Sequence, residues 1–351
     1  MSGHTSLRAR TARRLLAVAL SAGALAATGC LPGGPGAASP RGEGGPAQAP
    51  VGRSRPAADG PFWVDPQSAA AKQVAAYEAE GRTDDAEVLR RISERPAAQW
   101  PAWNDPATDI TRAVRGAAAA GGRTVVLVAY NIPHRDCGSY SKGGAAGPEA
   151  YRQWIDTFAG AVGDAPAVVV LEPDAVPHMI DGCTPVQHHE ERYRLLAEAV
   201  DRLKRQPRTT VYLDAGNPAW IKDPGKLVEP LRRAGLAKAD GFALNVSNFQ
   251  TTSSVTAFGS QLSALLGGAR YVVDTSRNGA GPLEGDGEEA WCNPPGRALG
   301  TPPTTATGDA RVAAYLWIKR PGESDGTCRG GPAAGTWWPE YALGLARRAK
   351  A

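Results

Sequence analysis

Apolar, β-branched runs alternate along this chain with segments of helical periodicity. The runs are 124–131, 167–174, 209–216, 241–248, 270–278 and 313–325, and each closes on a polar tip before a loop rich in Gly or Pro. Between them, 149–162 sets Tyr151, Trp154, Ile155 and Phe158 at helical spacing, and 190–205 repeats that period. Strand and helix alternating in this way predict a parallel sheet, closed or doubly wound. The patterned part is about 290 residues long, the size of one α/β barrel.

In such folds the carboxyl ends of the strands carry the chemistry. Here they read Tyr130-Asn131, Glu172-Pro173-Asp174, Asp214-Ala215-Gly216, 245–248, 274–278 and 319–325, so several carboxylates are expected to converge on one mouth. Each has an ordinary reading: Asp174 as a helix cap, Asp214 and Asp325 as turn residues before glycine, Asp136 as an ion-pair partner of Arg135. Carboxylates at four separate strand ends weaken these readings together. Pro173 fixes its own φ and is expected to push Glu172 toward extended geometry, giving a rigid exit that aims Asp174 at the mouth. Glycosidic bonds are hydrolysed by two carboxyl functions, one protonated and one ionised, and each raises the other's pKa when close.

The ends of the chain differ from this body. Arg8, Arg10, Arg13 and Arg14 precede an apolar run at 15–20, and small residues lead to Thr28-Gly29-Cys30, the order of a secretory signal over 1–30. The run is too short to span a membrane. Cys30 is a candidate lipidation site, the one membrane link expected, and Arg13-Arg14 admits a twin-arginine route. Residues 31–59 are mostly Gly, Pro, Ala and Ser and predict a linker, leaving 60–351 as the catalytic domain. Seven Arg against Glu43 and Asp59 give the first 59 residues +5, so the net +4 leaves the remainder at −1. That balance excludes a basic nucleic-acid face.

Beyond Cys30 stand Cys137, Cys183, Cys292 and Cys328. Four cysteines in an exported chain argue for two disulfides, with three possible connectivities. Cys137–Cys183 with Cys292–Cys328 is favoured, because each pair then joins loops at one end of the barrel. Each bridge is expected to stabilise by roughly 3–4 kcal/mol on the loop-entropy model. The run His188-His189-Glu190-Glu191 reads as a solvated helix face, since adjacent histidines point to different sides. No metal or cofactor is implied, and a monomer is expected.

The sequence resembles glycoside hydrolase family 6, the inverting endoglucanases and cellobiohydrolases, and is similar above all to the short-loop bacterial endoglucanases. The matching segments are 128–137 (VAYNIPHRDC), 170–174 (VLEPD), 212–220 (YLDAGNPAW), 245–249 (NVSNF), 274–279 (DTSRNG), Trp291-Cys292 and 317–326 (WIKRPGESDG). The resemblance implies a distorted (β/α) barrel of TIM type. It makes Asp174 the general acid, Asp136 the aspartate that keeps it protonated, Tyr130 the residue that distorts the sugar ring, and Ser141 a mobile-loop serine near the hydrolytic water. Asp325 matches the candidate base, acting directly or through waters. Asp214, Asn248, Lys319 and Glu323 match residues that bind sugar hydroxyls or hold the site. Trp100, Trp220 and Trp291 match aromatic platforms, on which a pyranose packs its C–H face, whereas Trp154 and Trp317 read as core. The family's two disulfides match the favoured pairing. Asn217 stands where the family motif has His, at a position contacting sugar beyond the cleavage point; Phe249 replaces a common Tyr.

The activity implied is endo-acting, inverting hydrolysis of β-1,4-glucan, with an open cleft inferred from short segments at 281–290 and 330–335. A catalytically silent exported oligosaccharide-binding lipoprotein is the rival from another class. A glycosidase for another β-glucan or xylan is a third reading.

Overall fold

The structure, a computed structural model, describes residues 60–285 and 289–350. The expected signal at 1–30, the candidate lipidation site Cys30 and the linker at 31–59 lie outside the described residues.

Helices α1 (Ala69–Ala79), α2 (Thr83–Ser93) and α3 (Pro106–Ala119) precede the first strand. Then β1 (Val125–Ala129), β2 (Ala167–Leu171), β3 (Thr209–Asp214), β4 (Gly241–Leu244), β5 (Tyr271–Asp274) and β6 (Val312–Leu316) pair in chain order, each parallel to the next. Helix α4 (Pro148–Val162) crosses from β1 to β2; the one-turn α5 (Pro177–Ile180) and α6 (His189–Leu203) lie between β2 and β3. Helices α7 (Gly225–Arg233) and α8 (Thr252–Leu265) fill the next two crossovers, and α9 (Pro339–Arg347) follows the last strand.

Alternate residues of each strand face opposite cores. Val126, Val128, Val170, Tyr212, Ala243, Val272, Ala314 and Leu316 gather inside the curled sheet with Phe62. Leu127, Val169, Leu171, Leu213 and Phe242 pack outward against Ile155, Phe158, Leu196 and Leu227 of the helices. Burial on both faces is why the strands read as continuous apolar runs rather than alternating ones. The sheet is a half-barrel: its ladder ends at β1 and β6, and the extended residues Ala98 and Gln99 cross the seam. Ala98 N–H donates to Trp317 O (2.9 Å), Gln99 N–H to Val126 O (2.8 Å), and Gln99 O accepts from Val128 N–H (2.9 Å). Trp154 and Trp317 are buried in cores, as expected. Both expected disulfides are formed, Cys137–Cys183 and Cys292–Cys328, with Cα atoms 5.9 and 6.3 Å apart.

Every strand stops short of its apolar run, and at four of them the reason is a carboxylate near the tip. Glu172 ends β2: its oxygens accept the N–H groups of Asn131 and Ile132, at 2.9 Å, where β1 would otherwise continue. Asp214 ends β3 by accepting from Gly216 (3.3 Å) and from Asp174 across the gap (2.9 Å). Asp274 ends both β5 and β6, collecting N–H groups from Ser247, Ser276, Ile318 and Lys319. These backbone donors are satisfied by side chains instead of a ladder, so the strand tips splay into a mouth.

Candidate active site

One expectation for the β2 tip is corrected. Glu172 is not extended: its φ is +49°, and that of Asp174 is +69°. The Pro173 ring disfavours such backbone in its neighbour, yet the bonds from Glu172 to the β1 tip over-determine it. Nor does Glu172 reach the mouth; it is fully buried, and burial pushes its carboxyl up to about 7 against the pull of the Asn131 and Ile132 N–H groups. His134, Asp136 and Cys137 also take positive φ, so left-handed non-glycine residues cluster here as they do at strained functional sites.

The loop after β1 carries Tyr130, Asp136 and Ser141. Arg135 does not pair with Asp136. Its guanidinium donates to the carbonyls of Tyr130 and Ser141 (2.9 Å for Nε to the latter) and lies 4.7 Å over the Tyr130 ring, cinching the loop into a hairpin. The Ser141 N–H donates to Asp136 Oδ2. Gly144 closes the loop at φ +96°, where a Cβ would sit 2.0 Å from Ile132 O, so only glycine fits. Tyr130 stands edge-on to Trp100, centroids 5.6 Å apart.

Asp174 and Asp136 meet across this mouth. Their carboxylate oxygens and a ring nitrogen of His178 all lie within 4.8 Å of one another. Burial raises the Asp174 carboxyl to about 6; His178 pulls it down, Asp136 raises it further, and a hydrogen bond from Tyr130 lowers it. Burial also lifts Asp136, opposed by the Ser141 N–H, His178 and Arg135. Asp214, behind the Asp174 backbone, is fully buried; burial and then the Asp174 charge push it well above the ordinary range. The result is a group of carboxyls raised above their ordinary range, of which Asp174 and Asp136 are partly exposed and Asp214 is buried.

The β6 side is electrostatically opposite. Asp325 is buried, with Oδ2 at 2.8 Å from Arg277 Nη1 and 3.0 Å from the Asn293 N, and Oδ1 at 3.4 Å from Lys319 Nζ. Burial opposes its charge, but Arg277 and Lys319 outweigh that and hold it below the usual carboxylate range. Burial in turn lowers Lys319, opposed by Asp325. Lys319 Nζ donates to Ser324 O, and Glu323 pairs with Arg320.

Two of the three aromatic candidates have their indoles anchored. Trp100 Nε1 donates to Ile318 O and Trp220 Nε1 to Asp181 Oδ2, both at 2.8 Å. Trp291 is exposed and edge-on to Tyr140, whose ring lies against Gly326, next to Asp325. Asn217 is buried, and its Oδ1 accepts from the Ala219 and Trp220 N–H groups (3.1 and 3.2 Å), forming the turn that presents Trp220. Asn248 Oδ1 accepts from Phe249 N at 2.8 Å.

Three residues here were not among the sequence candidates: His178, Asp181 and Arg277. Arg277 lies inside the matched 274–279 segment. His178 stands four residues after Asp174 on a helix of a single turn, too short for any periodicity to show. His188 stacks on His134 and His189 bonds Thr184 O; among the described residues neither joins a group of metal-ligating side chains.

A parallel half-barrel whose strand tips bring several carboxyls together beside anchored indoles defines an α/β barrel-type enzyme site, and the sequence comparisons name the group within it. Residues 57–349 match the model of glycosyl hydrolases family 6, and the chain belongs to that family. It is 42% identical over 297 residues to Endoglucanase A of Thermobispora bispora, covering 83% of this chain and 63% of that protein. It is 43% identical over 291 residues to Endoglucanase 1 of Streptomyces halstedii, covering 80% and 87%. Against Endoglucanase A of Cellulomonas fimi, 46% identical over 235 residues, the match covers 67% of this chain and 49% of that one. The chain thus spans only part of two of these relatives. Among solved structures it is similar to endoglucanase Cel6 from Mycobacterium tuberculosis in complex with methyl-cellobiosyl-4-deoxy-4-thio-β-D-cellobioside, with TM-score 0.76 and 46% identity, over 84% of this chain and 99% of that one.

Proposed function

We propose that the protein is an inverting endo-β-1,4-glucanase of cellulose-type chains, with Asp174 as general acid. One observation carries the reading: a partly exposed carboxyl raised to about 6, within 4.8 Å of a group that includes a second carboxyl, at the mouth of a half-barrel edged with indoles. An acid must be protonated when it meets the glycosidic oxygen, and a value near the working pH serves both donation and recovery. Asp136 keeps the proton affinity of that acid high by its own charge. Tyr130, against Trp100, crowds the sugar at the cleavage point, and the Ser141 backbone fixes Asp136.

Asp325 is the base candidate. Arg277 and Lys319 hold its carboxyl below the usual range, so it is ionised at pH values at which the acid is still protonated, and the same cations make it a weak base. It takes the proton of the attacking water directly or through intervening waters. Trp100, Trp220 and Trp291 offer faces to successive glucose units. Asp214, Asn217, Asn248, Lys319 and Glu323 bind sugar hydroxyls or hold the site together. The relatives named as endoglucanases, and the thio-cellooligosaccharide bound to one of them, support β-1,4-glucan as substrate. Two disulfides suit an oxidising, extracellular compartment.

This reading fixes the pH profile. The acid is active protonated, so kcat/KM falls as pH rises through the Asp174 value of about 6, and the apparent constant belongs to the interacting Asp174–Asp214 pair. Initial rates on a soluble cello-oligosaccharide from pH 4 to 9 check it; a profile flat to pH 8 would remove Asp174 as the acid.

A further inference from the structure

Asp181 belongs to none of the segments that carried the functional reading, yet three groups meet at its carboxylate. Oδ2 accepts from Trp220 Nε1 at 2.8 Å and lies 3.3 Å from His178 Nδ1. Oδ1 accepts from the Cys183 N–H, also at 2.8 Å, which ties the carboxylate to the Cys137–Cys183 bridge. Asp181 is thus fixed on the β2 side of the mouth, and the indole N–H links it to the loop after β3.

Trp220 itself is half-buried and braced from other directions. Asn217 Oδ1 holds its backbone N–H at 3.2 Å. The His178 ring meets the indole at 67°, with centroids 4.9 Å apart. At Gly216, where φ is +72°, a Cβ would stand 3.3 Å from Trp220 Cε3, so the missing side chain makes room for the edge of the ring. These contacts confine the indole, but the torsion that turns an aromatic ring on its Cβ has two broad wells. Only one of them points Nε1 at Asp181.

We propose that Asp181 is a positioning residue for substrate binding: it selects the orientation in which Trp220 presents its indole, and so sets the affinity for the glucose unit packed on that ring.

The inference rests on Trp220 being a sugar platform, as in the proposed function. A pyranose packs its C–H face on an aromatic face, and a ring already held in the binding orientation loses less freedom when the sugar arrives. A carboxylate suits the task because bonds to an ionised acceptor are the stronger kind, and because its second oxygen serves the Cys183 N–H. An amide has one acceptor oxygen for these two donors. Asp181→Asn therefore cannot hold the indole and the Cys183 N–H together.

The test is kinetic. In Asp181→Asn, KM for a soluble cello-oligosaccharide should rise about fivefold or more. The kcat should change little, because a platform holds the ground and transition states alike. The decisive comparison is the same substitution in a Trp220→Ala background, where there is no indole to orient. There Asp181→Asn should leave KM where Trp220→Ala alone has put it. A merely structural role, exerted through Cys183, would raise KM equally in both backgrounds and overturns the proposal, as does an unchanged KM in Asp181→Asn. Trp220→Phe keeps a ring face without the N–H and reads the same bond from its other end. It should raise KM with Asp181 intact, and it decides the matter if Asp181→Asn does not fold; an unchanged KM overturns the proposal. If Trp220→Ala leaves KM unchanged, the platform assignment falls and this inference with it; if Trp220→Ala raises KM and Asp181→Asn does not, only this inference falls.

Discussion

Asp174→Asn is expected to lower kcat on a soluble cello-oligosaccharide by roughly 10²–10⁴-fold, the contribution of a positioned acid. The substitution is nearly isosteric, and the contact that places the residue is its own backbone N–H to Asp214, which Asn retains. KM should therefore change little, as expected when an interaction made only in the transition state is removed. The loss should shrink on an aryl cello-oligosaccharide, whose good leaving group needs no proton. Steady-state kinetics on the two substrates check this. A variant of near wild-type activity, or an equal loss on both substrates, contradicts the role given to Asp174.

The second large effect falls on stability. Arg277 is wholly buried, pairs with Asp325, donates through Nη2 to Ser247 O at 2.6 Å, and lies 4.3 Å over the Phe249 ring. Truncating one member of such a pair leaves a buried charge with half its partners, a cost of about 3–5 kcal/mol. Lys319 remains near Asp325, at 3.4 Å, which places the expectation for Arg277→Leu at the lower end of that range. For a domain of this size the melting temperature should fall by roughly 5 °C. Asp325→Asn in the same background should recover part of the loss, because it removes the stranded charge. Thermal melts of the single and double variants decide it; a fall under about 2 °C would show that the pair is not stabilising.

The pattern of apolar runs was enough to predict the parallel sheet, since strands buried on both faces have to be apolar throughout. It overran the strand ends because, at four of the strands, the terminator acts through tertiary hydrogen bonds. Glu172, Asp214 and Asp274 stop the ladder by taking backbone N–H groups from neighbouring strands, and such a partner has no signature in local sequence. The same residues show why a carboxylate at a strand end is an ambiguous sign. Asp174 opens onto the mouth, whereas Glu172, two residues earlier, faces inward and holds the β1 tip. The proline rule failed at Glu172 because tertiary hydrogen bonds outweighed a local preference. Asn217 was legible as a substitution in a motif, but its use as the turn that presents Trp220 depends on which N–H groups lie in reach. His178 and Arg277 became visible only when separate strand tips were brought together.

The central claim is that a water attacks from the face opposite the acid, so that the new chain end is inverted. It is tested most directly by proton NMR of the first reducing ends released from a soluble cello-oligosaccharide, read before mutarotation. The account predicts that the α anomer accumulates first. Release of the β anomer would mean a covalent, retaining route and would contradict it.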